Sequence, residues 1–365
     1  MNKIDNRNYG IDLLRMVSMA MVLMLHVLGA GGVLGGSEHL SANYNVAWLL
    51  ETAAYCAVNC YALISGFVGY RSKIKYSNVA LLWIQVALTS VLGYLIFWTI
   101  TGAEFDGITL LRAFFPVINN YGWYFTCYFA LFFFMPLLNH VICTMEEKDL
   151  KILCGSVVGL FTVIGTMATR DVFQLQDGYS VIWLGALYLL GGCIARFGWF
   201  TKIAKWKLLL VYAGSCLFAW GVKLLIELWN NPWLGQFTYS EVMIRYKSPA
   251  ILAAAVALLL IFRGITLPKW IKTAVKILSP AAFGVYITHM HPEIWNRVIV
   301  GKFGSLGADN PLLMILEVLG AVLILYLGFS VIDLVRGWIF KLLKVKERLT
   351  ALEIKLRNRK AEKAE

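Results

Sequence analysis

Residues 10–34 read GIDLLRMVSMAMVLMLHVLGAGGVL, an apolar run interrupted by Asp12, Arg15 and His26 alone among ionisable groups. A stretch of this length spans roughly 30 Å of hydrocarbon as a helix, because each residue rises about 1.5 Å. Similar runs recur along the chain, and crossings fit at 11–34, 45–70, 78–101, 121–143, 150–168, 179–196, 207–229, 248–263, 278–299 and 312–335. The composition agrees: 59% of the 365 residues are hydrophobic and only 15% charged. This excludes a soluble globular domain, a disordered chain and a small disulfide scaffold. The expected fold is all-α, a polytopic membrane protein of about ten transmembrane helices. MNKIDNRNYG is followed by no small-residue cleavage site, so the first run is expected to be a retained helix.

The net charge is +12. Lys and Arg are disfavoured in short translocated loops. The basic residues gather at Lys3 and Arg7, at Arg71 to Lys75, at Lys148 and Lys151, at Arg196 to Lys207, at Arg263 to Lys276 and from Arg336 to Lys363. The loops between these hold only Arg112, Arg170, Arg245, Lys247 and Lys302. Both termini are therefore expected in the cytoplasm, with the protein in the inner or plasma membrane. Residues 1–335 would form the transmembrane domain. Residues 336–365 would form a basic tail whose Leu342, Val345, Leu349, Leu352 and Leu356 recur at helical spacing, an amphipathic helix that lies on anionic lipids or else pairs with another chain, the lipid reading being favoured because the run covers few heptads. The positive charge follows from this topology and implies no nucleic-acid role. The seven cysteines fall in or beside apolar runs and read as small buried hydrophobes, with no metal site.

Ionisable groups at membrane depth are expensive and mark functional positions by default. Arg15 and His26 lie eleven residues apart, so they share one helix face within about 20° and stand roughly 16 Å apart along its axis. That stripe suits an elongated anion, its phosphates on the guanidinium and its far end at the imidazole. Glu51 and His289 approach the depth of His26 from their own helices. Pro292 in Thr-His-Met-His-Pro is expected to break the ninth helix near His291, and a broken helix at this depth lines a cavity. Glu293 with Arg297, and Lys223 with Glu227, read as self-neutralising i, i+4 pairs.

Four stretches resemble the acyltransferase 3 family. Arg15 to His26 is similar to its Arg-x10-His signature. Cys60-Tyr-Ala-Leu-Ile-Ser65-Gly66-Phe67 resembles its Phe-x-Ile-Ser-Gly-Phe segment. Trp123-Tyr124-Phe125 leading to Pro136-Leu-Leu-Asn139 looks like the opening and close of a later helix, and Phe283-Gly284-Val-Tyr286-Ile-Thr-His289 resembles a segment near the end of the domain. The loop Arg71-Ser-Lys-Ile-Lys75-Tyr76 departs from the Arg-rich form ending in Tyr-Pro, and no hydrolase-like domain follows the tenth crossing. The resemblance implies an O-acetyltransferase moving an acyl group from cytoplasmic acetyl-CoA to a hydroxyl of an extracytoplasmic glycan or other envelope acceptor. Transfer would finish in the membrane domain or pass to a separate protein. On this reading His26 is general base or acyl carrier, with Glu51 or His289 orienting it. Arg15, Ser65, Lys202 and Lys205 bind the donor, acetyl-CoA is a substrate, and no cofactor is permanently bound. The rival is a proton-coupled transporter exporting a polar or lipid-linked solute through the same His and Glu residues.

Overall fold

A computed structural model describes residues 7–102, 104–168, 170–229 and 240–362. Lys3, Lys363 and the rest of the last three tail positions lie outside the described residues. Among those described, the chain is helical and contains no strand. Its main helices are α1 (Tyr9–Leu28), α2 (Ala42–Ala54), α3 (Ala57–Gly69), α4 (Tyr76–Thr101), α5 (Trp123–Thr144), α6 (Glu147–Val158) and α7 (Val181–Phe197). They continue as α8 (Lys205–Leu228), α9 (Pro249–Arg263), α10 (Lys269–Leu278), α11 (Ala282–His289), α12 (Pro311–Leu342) and α13 (Val345–Glu362).

Seven helical stretches among the described residues are long and apolar enough to cross a membrane: Tyr9–Gly36, Ala42–Gly69, Tyr76–Thr101, Trp123–Thr144, Glu147–Met167, Lys205–Leu228 and Pro311–Leu342. Two of the ten expected crossings are shorter apolar helices, α7 and α9, and one is interrupted after His289. The long outer helices turn Leu and Ile outward, as with Leu312, Leu316, Leu323 and Ile324 of α12. Such a continuous apolar exterior is matched by lipid rather than by water. The protein is a multi-pass membrane protein.

The centre is packed through small residues. At Gly66 an added Cβ would stand 1.9 Å from the Tyr188 carbonyl oxygen, and at Gly191 one would stand 2.1 Å from that of Leu63. Helices α3 and α7 thus meet backbone to backbone, which only glycine permits and which maximises packing where lipid supplies no hydrophobic drive. Gly66 belongs to the Ser65-Gly66-Phe67 stretch, so this part of the motif has a packing role.

Hydrogen bonds knit the basic segments into one end of the bundle. Asn8 donates to the Arg263 carbonyl, Lys205 to that of Gly264 and Arg196 to those of Ile142 and Met145. The tail does not begin where hydropathy ends: α12 runs on to Leu342, and Lys344, at φ 51°, turns the chain into α13. There Glu353 accepts the free Tyr76 and Ser77 N–H groups at the start of α4, at 3.2 and 3.0 Å, and Arg357 donates to the Ile74 carbonyl. Helix α4 has no side-chain cap of its own, so a carboxylate from the far end of the chain meets its partial positive charge. These bonds hold Glu353 at about 2, well below its usual 4.5.

Candidate active site

Helix α1 is unbroken from Tyr9 to Leu28, so Arg15 and His26 share a face as their spacing requires. Both border a cavity of about 770 Å³, together with Glu51 and Ser65. Ser72, Lys73 and Lys75 line it as well, beside the start of α4. Asn139, which closes the Pro-Leu-Leu-Asn stretch, donates to the Gly69 and Ser72 carbonyls at 3.4 and 3.3 Å and accepts from Tyr188 Oη at 2.8 Å. The motif asparagine therefore holds the loop that borders the cavity.

Arg15 is anchored by Asp12, one turn earlier and buried, which also pairs with Arg7. A guanidinium is polarised and oriented by such a partner while its remaining N–H groups stay available to an anion. Tyr61 Oη donates to the Arg15 carbonyl at 2.6 Å, and the Ser65 hydroxyl is turned onto the Tyr61 carbonyl at 2.9 Å.

The chemistry concentrates at His26. Its Nδ1 lies 2.9 Å from His289 Nε2, and His289 Nδ1 lies 2.8 Å from the Val285 carbonyl oxygen. A carbonyl can only accept, so His289 carries its proton on Nδ1 and presents a lone pair at Nε2. His26 must then donate from Nδ1, which leaves its own Nε2 unprotonated. Two bonds thus set one tautomer, with the base nitrogen on a ring that borders the cavity and the partner ring fully buried behind it. Local sequence makes this possible. Val285 and His289 stand one turn apart on α11, whose glycine, Gly284, lets α12 approach with Asp333, where a Cβ would stand 1.8 Å from the carboxyl carbon.

Helix α11 ends at His289, and His291 is extended at ψ 129° before Pro292. A wider turn follows, with the Val300 N–H on the Trp295 carbonyl, and it sets the Trp295 ring edge-on to His26 at 4.9 Å. His291 itself is buried away from His26, stacked on Phe97 and bonded to the Ser90 carbonyl at 3.3 Å.

His289, rather than Glu51, holds the His26 ring. Glu51 borders the same cavity but takes no bond to His26. Lys202 and Lys205 do not border the cavity, and the Lys205 ammonium is spent on the Gly264 carbonyl at 2.7 Å. Lys73 and Lys75 line it instead. They lie in the loop that departs from the family pattern, and their basic spacing was the available signal. Trp295 gave no chemical signal beyond its residue type, whereas Asp12 stands three residues before Arg15, the spacing of a helical ion pair. The i, i+4 pairs form as expected: Arg297 with Glu293 at 2.7 Å, and Lys223 with Glu227. Lys223 also lies 3.9 Å from the Trp48 ring centre and 2.9 Å from Tyr44 Oη, a structural cation. All seven cysteines are free, and the described residues contain no cluster suited to a metal ion.

An arginine and an oriented imidazole thus share the wall of one cavity inside a membrane bundle. The acyltransferase domain model of the acyltransferase 3 family matches residues 8–333, nearly the whole chain, and the protein belongs to that family. It is a membrane acyltransferase. No curated protein and no solved structure matches the chain. The matched region ends before α13, so the tail helix that caps α4 lies outside the family domain.

Proposed function

We propose that this acyltransferase takes an acyl group, in the first instance acetyl, from cytoplasmic acyl-CoA to a hydroxyl of an extracytoplasmic glycan or other envelope acceptor. In this reading both termini are cytoplasmic, the membrane is the inner or plasma membrane, and anionic lipids meet the basic tail. The observation that carries it is the chain His26–His289–Val285 at one end of the helix face that holds Arg15, with both ends open to one cavity.

The donor's phosphates sit at the basic end with Arg15, assisted by Lys73 and Lys75, and its arm runs along the α1 stripe. His26 Nε2 removes the proton of the acceptor hydroxyl as its oxygen attacks the thioester carbonyl. A C–O bond forms and the C–S bond breaks. The sulfur leaves with the electron pair and is protonated by the imidazolium. While that charge exists, the His26 Nδ1–H to His289 bond becomes charge-assisted and strengthens, so the pair favours the transition state over the ground state.

Purified protein incubated with labelled acetyl-CoA and its acceptor fraction tests the division of labour. His26→Gln should lower transfer by roughly two to four orders of magnitude while acetyl-CoA still binds. Arg15→Lys should raise the acetyl-CoA concentration needed and keep measurable turnover at saturation, because Lys retains charge but loses the fork. A monodisperse His26→Gln protein with normal transfer removes this residue from the mechanism.

A further inference from the structure

Residues 72–75 join α3 to α4 without helical structure of their own, and Ser72, Lys73, Ile74 and Lys75 all border the cavity. The wall continues along α4 through Asn78, Leu82 and Gln85, whose spacing keeps them on one helix face. Neither lysine ammonium is paired with an acid among the described residues, so both charges remain for a ligand.

Such a loop is held by its ends. At one end Asn139 donates to the Gly69 and Ser72 carbonyls. At the other, the N-cap position of α4 is filled by Lys75, which supplies no acceptor. Ser, Thr, Asp or Asn is the usual choice there, because a side-chain oxygen accepts a free N–H of the first turn. Lys75 serves the cavity instead, and the acceptor comes from the far end of the chain. Glu353 takes the Tyr76 and Ser77 N–H groups at 3.2 and 3.0 Å. Arg357 pairs with Glu353 at 2.6 Å and donates, more loosely, to the Ile74 carbonyl at 3.4 Å. The Glu353 side chain is only 12% exposed, so the contact is enclosed rather than a solvated surface pair. No described residue of α13 borders the cavity, so this helix neither plugs it nor meets the ligand.

We infer that α13 is a strut for the donor site: Glu353 and Arg357 are positioning residues that hold Lys73 and Lys75 at the cavity wall for the donor's phosphates. The inference rests on the acyl-CoA reading above and adds to the donor site an element outside the family domain, which ends at residue 333. A loop ordered before binding spares the complex part of the ordering cost that binding otherwise carries. Loss of the strut therefore weakens donor binding and leaves the chemistry at His26 intact. The sign of the effect separates this role from plain electrostatics. Glu353 is an anion beside a phosphate site, so neutralising it would by charge alone strengthen the binding of an anionic donor. Acting as a strut, it weakens that binding when it is lost.

The test uses the full chain in detergent and three measurements: equilibrium binding of labelled acetyl-CoA, CoA release at saturating donor, and hydrogen exchange of the amides of residues 72–78. In Glu353→Gln the dissociation constant should rise roughly 3- to 10-fold, the scale of a lost helix cap, while the saturated rate stays within about twofold. Exchange across 72–78 should quicken. Arg357→Gln leaves the cap in place and is the milder variant, so it should shift binding the same way by a smaller factor and serves if Glu353→Gln is not monodisperse. In a Lys73→Gln, Lys75→Gln background, where donor binding is already weak, Glu353→Gln should add little, because the strut acts through those two side chains. The inference is overturned by a dissociation constant that is unchanged or lower in Glu353→Gln, by a saturated rate that falls while binding holds, or by an undiminished Glu353→Gln effect in the background without the two lysines. An unaltered protein that binds no acetyl-CoA overturns the acyl-CoA reading and this inference with it, whereas equal binding by the unaltered and Glu353→Gln proteins overturns the inference alone.

Discussion

Replacing His289 by Phe removes the acceptor of the His26 Nδ1 proton while filling a position with no solvent exposure by a ring of similar bulk. In the resting enzyme the lost bond, 2.9 Å long, contributes about 1 kcal/mol net. When His26 takes up the acceptor's proton, the same bond becomes charge-assisted and contributes about 1.5–3 kcal/mol. The difference, about 0.5–2 kcal/mol, falls entirely on the transition state and corresponds to roughly 2- to 30-fold in rate. Without the partner, His26 also divides its population between two tautomers, and only the one with Nε2 unprotonated can act. With about a twofold loss from the tautomer split, these lower kcat roughly 4- to 60-fold. The KM for acetyl-CoA should move little, because His289 does not border the cavity. His289→Gln can accept from His26 through Oε1 and donate to the Val285 carbonyl through Nε2, so it should recover most of the loss. The assay is chromatographic measurement of CoA release over a range of acetyl-CoA concentrations, with monodispersity as the control for folding. A Phe variant with unchanged kcat, or a Gln variant that falls as far as Phe, refutes the tautomer relay.

Two further outcomes follow from the ends of the bundle. Glu353 is held at about 2 against its usual 4.5, so its contribution to tail docking is complete above about 4.5 and is lost as pH falls through about 2. A spin-label distance between Asn358 and Ser72 should stay short from neutral pH to about 5 and lengthen below about 3, and Glu353→Gln should lengthen it already at neutral pH; a distance independent of both excludes the capping contact. The proposed orientation, with the basic end cytoplasmic, requires that single cysteines at Gly107 and Lys202 in a background lacking reactive thiols be labelled from outside at position 107 alone, and outer labelling of position 202 in intact cells would invert the topology.

Much of this protein was legible in one dimension because the bilayer imposes a simple rule on sequence. A run such as residues 10–34 must be helical, since no water is available to satisfy its backbone. Once it is helical, the eleven-residue spacing puts Arg15 and His26 on one face by arithmetic alone. Pro292 marked the end of α11 for an equally local reason, its missing donor and its ring. The self-neutralising pairs at Lys223 and Arg297 also needed only helical geometry. The motif stretches carried the family because each is short and contiguous.

What remained for the tertiary structure was every choice between partners. His289 and Glu51 were equal candidates to hold His26, and nothing local separates them. The choice depends on how α11 packs against α1, and on Gly284 letting α12 close behind it. Lys202, Lys205, Lys73 and Lys75 are alike as basic loop residues, yet only the last two border the cavity, because Asn139 ties their loop to α5 while Lys205 is bound to a carbonyl elsewhere. The tail was readable as a helix, but its cap on α4 joins residues 276 positions apart. Helical periodicity reports which face of a segment is apolar, and carries no information about which other segment that face will meet.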